Sequence, residues 1–95
     1  MRRNNEQSDK VYTTLDAYQA GYLTLQGFIP KLIDQNGKVV FVFIQSAVLL
    51  QALTDYNSGA QVQASRFAFA IKTLKSQIHA LRRNKENING SEKIE

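Results

Sequence analysis

His79 is the single histidine of this 95-residue chain, and the chain contains no cysteine. Histidine suits general acid–base work near neutral pH, but it needs a nucleophile, a carboxylate or a metal beside it. The sequence signals none of these. Without cysteine, disulfides, thiolate-bound metal and a thiol nucleophile are excluded, and no pair of His, Asp or Glu stands at metal-ligand spacing. Asp16, Asp34 and Asp55 fall near a helix start, beside a turn and near a helix end. Each therefore has a local structural use, which leaves a paired-carboxylate mechanism unsupported. The five glycines (Gly21, Gly27, Gly37, Gly59, Gly90) are isolated, so there is no phosphate-cradling loop. The chain is expected to be non-enzymatic, with no cofactor and no metal. The opposite case would require Tyr18, Tyr22, Tyr56 and His79 to converge on one pocket.

The cationic side chains carry more information. Lys72, Lys75, His79 and Arg82 recur at steps of three, four and three, with Arg83 beside them. Cations lined up along one helix flank can pair with successive phosphates and release condensed counterions. Arg66 lies earlier on the same segment, so Arg66, Lys72, Lys75, Arg82 and Arg83 form the candidate contact set for DNA or RNA. The competing explanation is a solvated helix face whose cations favour the negative C-terminal end of the helix. The net charge of +4 (12 basic, 8 acidic) and a pI near 9.6 permit an anionic partner without demanding one. That charge is spread along the chain, and no helix-turn-helix, zinc finger or aromatic-rich RNA-binding octamer is present.

The aromatic residues set up the alternative. Phe67, Ile71, Leu74, Ile78 and Leu81 make a narrow apolar seam at helical spacing. The seam is too short for a sustained coiled coil and is expected to pack on a sheet. Phe69 points nearly opposite it. With Phe41 and Phe43 it could build a stacking platform for unpaired bases beside Arg66, or it could form the interface of a homodimer or of another protein contact. Phe41, Phe43 and Phe69 are the candidate interface residues.

These side chains must be placed by a small α+β domain. Residues 1–10 and 84–95 are polar without apolar periodicity and are expected to be flexible tails around one globular domain over 11–83. Thr13 is expected to cap a first helix whose buried stripe is Leu15, Tyr18, Tyr22 and Leu25, stopped by Gly27. Phe28 to Ile33 reads as a strand, with Pro30 suggesting an edge. Asn36-Gly37 is a two-residue hairpin turn leading into a second strand from Lys38 to Ile44. That strand is apolar on both faces, Val39, Phe41 and Phe43 against Val40, Val42 and Ile44, so helices must cover both sides or a ligand or second chain must cover one. Ser46 caps a helix with Leu49, Leu50, Leu53 and Tyr56 inward, ended at Asn57-Ser58-Gly59. Ala60 to Gln63 is a third strand or an extended link, and Ser65 caps a long last helix reaching about Arg83. The expected order is α-β-β-α-β-α, a small antiparallel hairpin sheet packed by helices.

The composition, 43% hydrophobic and 21% charged, is that of an ordinary globular protein. The longest apolar run, Val39 to Ile44, is far short of the ~20 residues that span a bilayer, and no apolar stretch follows the first five residues. No membrane association is expected, and a cytoplasmic location is the default. A folded part of about 70 residues buries only roughly 60% of its unfolded surface, so contact with a second copy would add stability.

Gln26-Gly27-Phe28, Val39-Val40-Phe41-Val42-Phe43, Tyr56-Asn57-Ser58-Gly59 and Leu74-Lys75 together resemble a family of short uncharacterised bacterial and phage proteins catalogued as a domain of unknown function. The resemblance covers about residues 12–80. It implies a compact single domain of bacterial or phage origin, and its motifs are turn glycines and core aromatics that specify a fold rather than a site. It carries over no catalytic residues.

Overall fold

The computed structural model describes the backbone over residues 10–94 and the side chains over 10–84, so the expected tail at 1–10 lies almost wholly outside the described residues. The elements are β1 (Val11–Thr14), α1 (Ala17–Leu25), β2 (Lys31–Gln35), β3 (Lys38–Ile44), α2 (Ala47–Asn57) and α3 (Ala64–Ile94). The class is the expected α+β, with an antiparallel sheet and a long C-terminal helix. The order is β-α-β-β-α-α instead of the expected one.

The difference lies in the third strand. It is formed by Val11–Thr14 and not by Ala60 to Gln63, which are an exposed link between α2 and α3. Val-Tyr-Thr-Thr is a run of β-branched and aromatic residues that fits a pleated surface better than a helix start. Thr13 therefore caps nothing, and Asp16 takes that role. One Oδ1 oxygen of Asp16 accepts from the Tyr18 and Gln19 amides at 2.9 and 3.3 Å, while the Thr14 hydroxyl accepts from the Asp16 amide at 3.0 Å. Leu15, expected inside the first helix, is left in the β1–α1 link with most of its surface exposed.

Strand order is β1-β3-β2 with both pairs antiparallel. Val11 opposes Ile44 and Thr14 opposes Phe41 on one side of β3, while Lys31 opposes Val42 and Gln35 opposes Lys38 on the other. The Asn36-Gly37 turn carries positive φ at both residues, 55° and 86°, as a primed two-residue hairpin requires, and Asp34 Oδ1 accepts from the Gly37 amide.

Two helices end by the same device. In α1 the Phe28 amide bonds back to the Leu23 carbonyl and the Gly27 amide to Thr24. In α2 the Ala60 amide bonds to Asp55 and the Gly59 amide to Tyr56. Gly27 and Gly59 hold φ of 100° and 88°, the left-handed conformation this reversal needs. Ser46 caps α2 as expected, its Oγ accepting from the Leu49 amide at 3.1 Å. Ser65 does not cap α3: the helix begins one residue earlier, with the Phe67 amide bonded to the Gln63 carbonyl. It also runs on to Ile94, past the expected end near Arg83.

All three helices contribute to one core with the inner face of the sheet. Ala20, Tyr22, Leu23, Phe41, Phe43, Leu49, Ala52, Leu53 and Leu74 form its buried cluster. In α2 the inward positions are 49, 52, 53 and 56, so Ala52 replaces the expected Leu50, which is exposed. The α3 seam packs mainly on α1, with further contact to β2. A Cβ added at Gly21 would lie 2.6 Å from Cδ1 of Ile71 and 3.6 Å from Phe67, so the absence of a side chain sets the α1–α3 approach. Among the described residues no helix is long and apolar enough to cross a membrane.

Phe41 and Phe43, expected at an interface, are each 1% exposed. They stand on the sheet face turned toward the helices and are core residues of the single chain. Phe43→Ala should lower unfolding free energy by about 3–5 kcal/mol in chemical denaturation, whereas Phe69→Ala should change it by less than about 0.5 kcal/mol. Equal losses would contradict the assignment of inner and outer aromatics. Gly21→Leu, which forces α1 from α3, should cost about 1–3 kcal/mol in the same assay.

Candidate binding surfaces

Burial divides β3 by alternate residues. Val39, Phe41 and Phe43 are buried, Val40 and Val42 are half-buried, and Ile44 is 71% exposed. Residues directly opposite in a ladder share a face, so register completes the outer side. Val11 joins Ile44, Thr13 and Lys31 join Val42, Ile33 joins Val40, and Gln35 joins Lys38. The inner side is tied to the helices, for instance through the Tyr12 hydroxyl donating to Gln19 Oε1 at 2.6 Å. Among the described residues no helix lies over the outer side, so helices do not cover both faces of this two-sided apolar strand.

That face has relief. β1 pairs only with Phe41–Ile44, so the first part of β3 extends beyond it. Where β1 stops, an open concavity of about 660 Å³ is lined by Thr13, Leu15, Gln35, Lys38 and Val40, among others, with no residue from a helix. The charged side chains on the outer face are Lys31 and Lys38; its described residues include no carboxylate.

The second surface is α3. At about 100° per residue, Phe67, Ile71, Leu74, Ile78 and Leu81 face the fold, and the remaining positions split into two flanks. On one flank Arg66, Phe69 and Thr73 meet Thr24 and Leu25 across a groove of about 360 Å³, where Phe69 is 71% exposed. On the other, Lys72 and Lys75 meet Tyr18 and Phe67 across a groove of about 430 Å³. Arg82 and Arg83, also exposed, continue on the Lys72 side by helical phase. The five candidate cations therefore do not form one site, because the body of the helix separates Arg66 from the other four.

Tyr18 was not among the expected site residues. It stacks on Phe67, with ring centroids 6.3 Å apart and planes 26° apart, yet remains 59% exposed beside Lys72 and Lys75. Helical periodicity placed it in the buried stripe with Tyr22. It stands in the first turn of α1, whereas the buried residues of that helix are confined to positions 20–23.

Tyr18 and His79 do not converge. Tyr22 and Tyr56 pair at 5.3 Å, Tyr18 lies on Phe67, and exposed His79 is twelve residues beyond Phe67, about 18 Å along α3. No cluster of three or more His, Asp or Glu side chains able to hold a metal occurs among the described residues.

Burial, and secondarily the negative charge of Asp16, pushes the Tyr56 phenol above its ordinary 10.0. A folded-state value above the unfolded one means that its contribution to stability is complete below the unfolded value and is lost as pH rises through the folded one. Tm of the unmodified chain should therefore fall more between about pH 8 and about pH 11 than that of Tyr56→Phe. Parallel curves would show that Tyr56 does not contribute to alkaline unfolding.

The sequence profile of a domain of unknown function, DUF5659, matches residues 9–80. Comparison with curated proteins and with solved structures gives no match.

Proposed function

The chain belongs to the DUF5659 family, and we propose that it is a non-enzymatic binding module that engages a protein partner through the open face of its sheet. One observation carries this function: the outer side of β3 presents Val40, Val42 and Ile44, extended by Val11 and Ile33, with no helix over it among the described residues. Contiguous apolar surface on a small protein marks interaction sites, since its exposure to water is unfavourable until something covers it. The face lacks the aromatic rings that would suit it to stacking on bases. A non-catalytic role is supported by the separation of Tyr18 from His79.

A second function, nucleic-acid binding, is favoured by Tyr18. An exposed aromatic ring lies beside Lys72 and Lys75, with Arg82 and Arg83 further along the same flank. This combines phosphate pairing with a surface on which a base could stack. Arg66 and Phe69 fall outside that site.

Two variants separate the two functions. Val42→Thr with Ile44→Thr removes apolar surface while keeping strand-compatible residues, and a Lys72/Lys75/Arg82 triple-alanine variant removes the cations. Size-exclusion chromatography of the tagged chain from its host cells should show a complex that is lost in the sheet variant and kept in the triple-alanine variant. Labelled single-stranded DNA, duplex DNA and RNA should then bind weakly even at low salt. Salt-dependent nucleic-acid binding abolished by the triple-alanine variant, with assembly untouched by the sheet variant, would replace the first function by the second.

A further inference from the structure

We propose that the open sheet face receives an amphipathic helix of a partner protein whose polar flanks are acidic. The proposal rests on the protein-docking function above and specifies its partner. The size of the face is the first ground. Strands of four, seven and five residues at about 4.8 Å spacing give a surface about 14 Å wide and at most about 23 Å long, or roughly 250 Å² in projection. A stable interface between two globular proteins takes about 800 Å² from each partner, so a second copy stacked sheet to sheet is underprovided. A helix is about 10 Å wide and spans 23 Å in about 15 residues, which fits the face lengthwise. It would complete a layer of the same kind as the one already covering Phe41 and Phe43.

Charge is the second ground. Lys38 stands at the hairpin end of the outer face and Lys31 on its β2 edge, with Val40, Val42 and Ile33 between them and no carboxylate among the described residues of that face. Two rim cations around an apolar centre favour a helix with apolar residues at positions i, i+3, i+4 and i+7 and with Glu or Asp at the flanks. They also disfavour a second copy, which would bring the same lysines toward each other on a chain already at +4. The concavity beyond the end of β1, with Leu15 and Val40 in its wall, would take the largest apolar side chain of the incoming helix.

The test is selection from a displayed library of helical peptides of about 15 residues against the purified full chain. The affinity of one enriched peptide is then measured by fluorescence anisotropy. Enriched sequences should carry the helical apolar period with acidic flanks, and binding should weaken about tenfold in a Lys31→Glu/Lys38→Glu variant. It should be lost in Val42→Thr/Ile44→Thr, with circular dichroism unchanged in both variants. Failure to enrich helical sequences, absence of acidic bias, or indifference to the lysine variant would overturn the acidic helix. Loss of binding in the sheet variant would, in those last two cases, still uphold the face as a docking surface. Binders indifferent to the sheet variant would overturn both. A concentration-dependent dimer in sedimentation, dissolved by the sheet variant, would assign the face to a second copy and likewise overturn the acidic helix.

Discussion

The fold depends on β3 being the central strand. Its alternate side chains must satisfy two environments, and the helices supply only one. Phe41 and Phe43 reach between α1, α2 and α3, where each ring removes enough apolar surface from water to contribute about 1.5–3 kcal/mol. In a chain this short that is a large share of a net stability of about 5–15 kcal/mol. Everything else in the domain can be described by its relation to that strand. β2 pairs with Lys38–Val42 and β1 with Phe41–Ile44, α1 packs into the core beside Phe41 and Phe43, and the glycine at position 21 lets α3 come close enough to close the core.

The two sides of α3 show how one long helix keeps separate surfaces apart. Its seam is spent on α1 and on the core through Leu74. What remains is a flank with Arg66 and Phe69 near the end of α1, and a flank with Lys72 and Lys75 near the start of α1. The residues nearest in sequence are thus sent to different neighbours, and Tyr18 comes beside the lysines through an aromatic contact with Phe67. Linear spacing described the cations well but could not say which part of α1 each flank would meet.

Local chemistry made much of the fold readable. Asn36-Gly37 specifies a primed hairpin turn, Ser46 a helix start, and Gly27 and Gly59 helix stops, because each is decided by backbone conformation or a hydrogen bond within a few residues. The apolar character of both faces of β3 was legible, but not which face the helices would take. What escaped was decided at a distance. Val11–Thr14 have strand-forming residue types, but their edge is offered by β3, some thirty residues later, and Thr13 suits a helix cap equally well until that pairing claims it. Ala52 displaces Leu50 from the core because the phase of α2 is set by Leu49 and Leu53 together, not by the size of the side chain. Phe41 and Phe43 could be assigned to a strand but not to a side, since alternation alone leaves the direction of the core undetermined.

The lengths of the outer strands bear on a different matter, the tendency of an apolar sheet to polymerise. Sheets polymerise through their edges, where unpaired amides and carbonyls template another strand. Here β1 offers four residues, and β2 offers five, entered from Pro30 and beginning with Lys31. Short edges with a proline and a lysine at the entry are poor templates for fibril growth. The longest and most apolar strand is the central one, with β1 beside Phe41–Ile44 and β2 beside Lys38–Val42. An apolar sheet face that no described helix covers therefore sits between edges that are poor seeds for an extended cross-β aggregate.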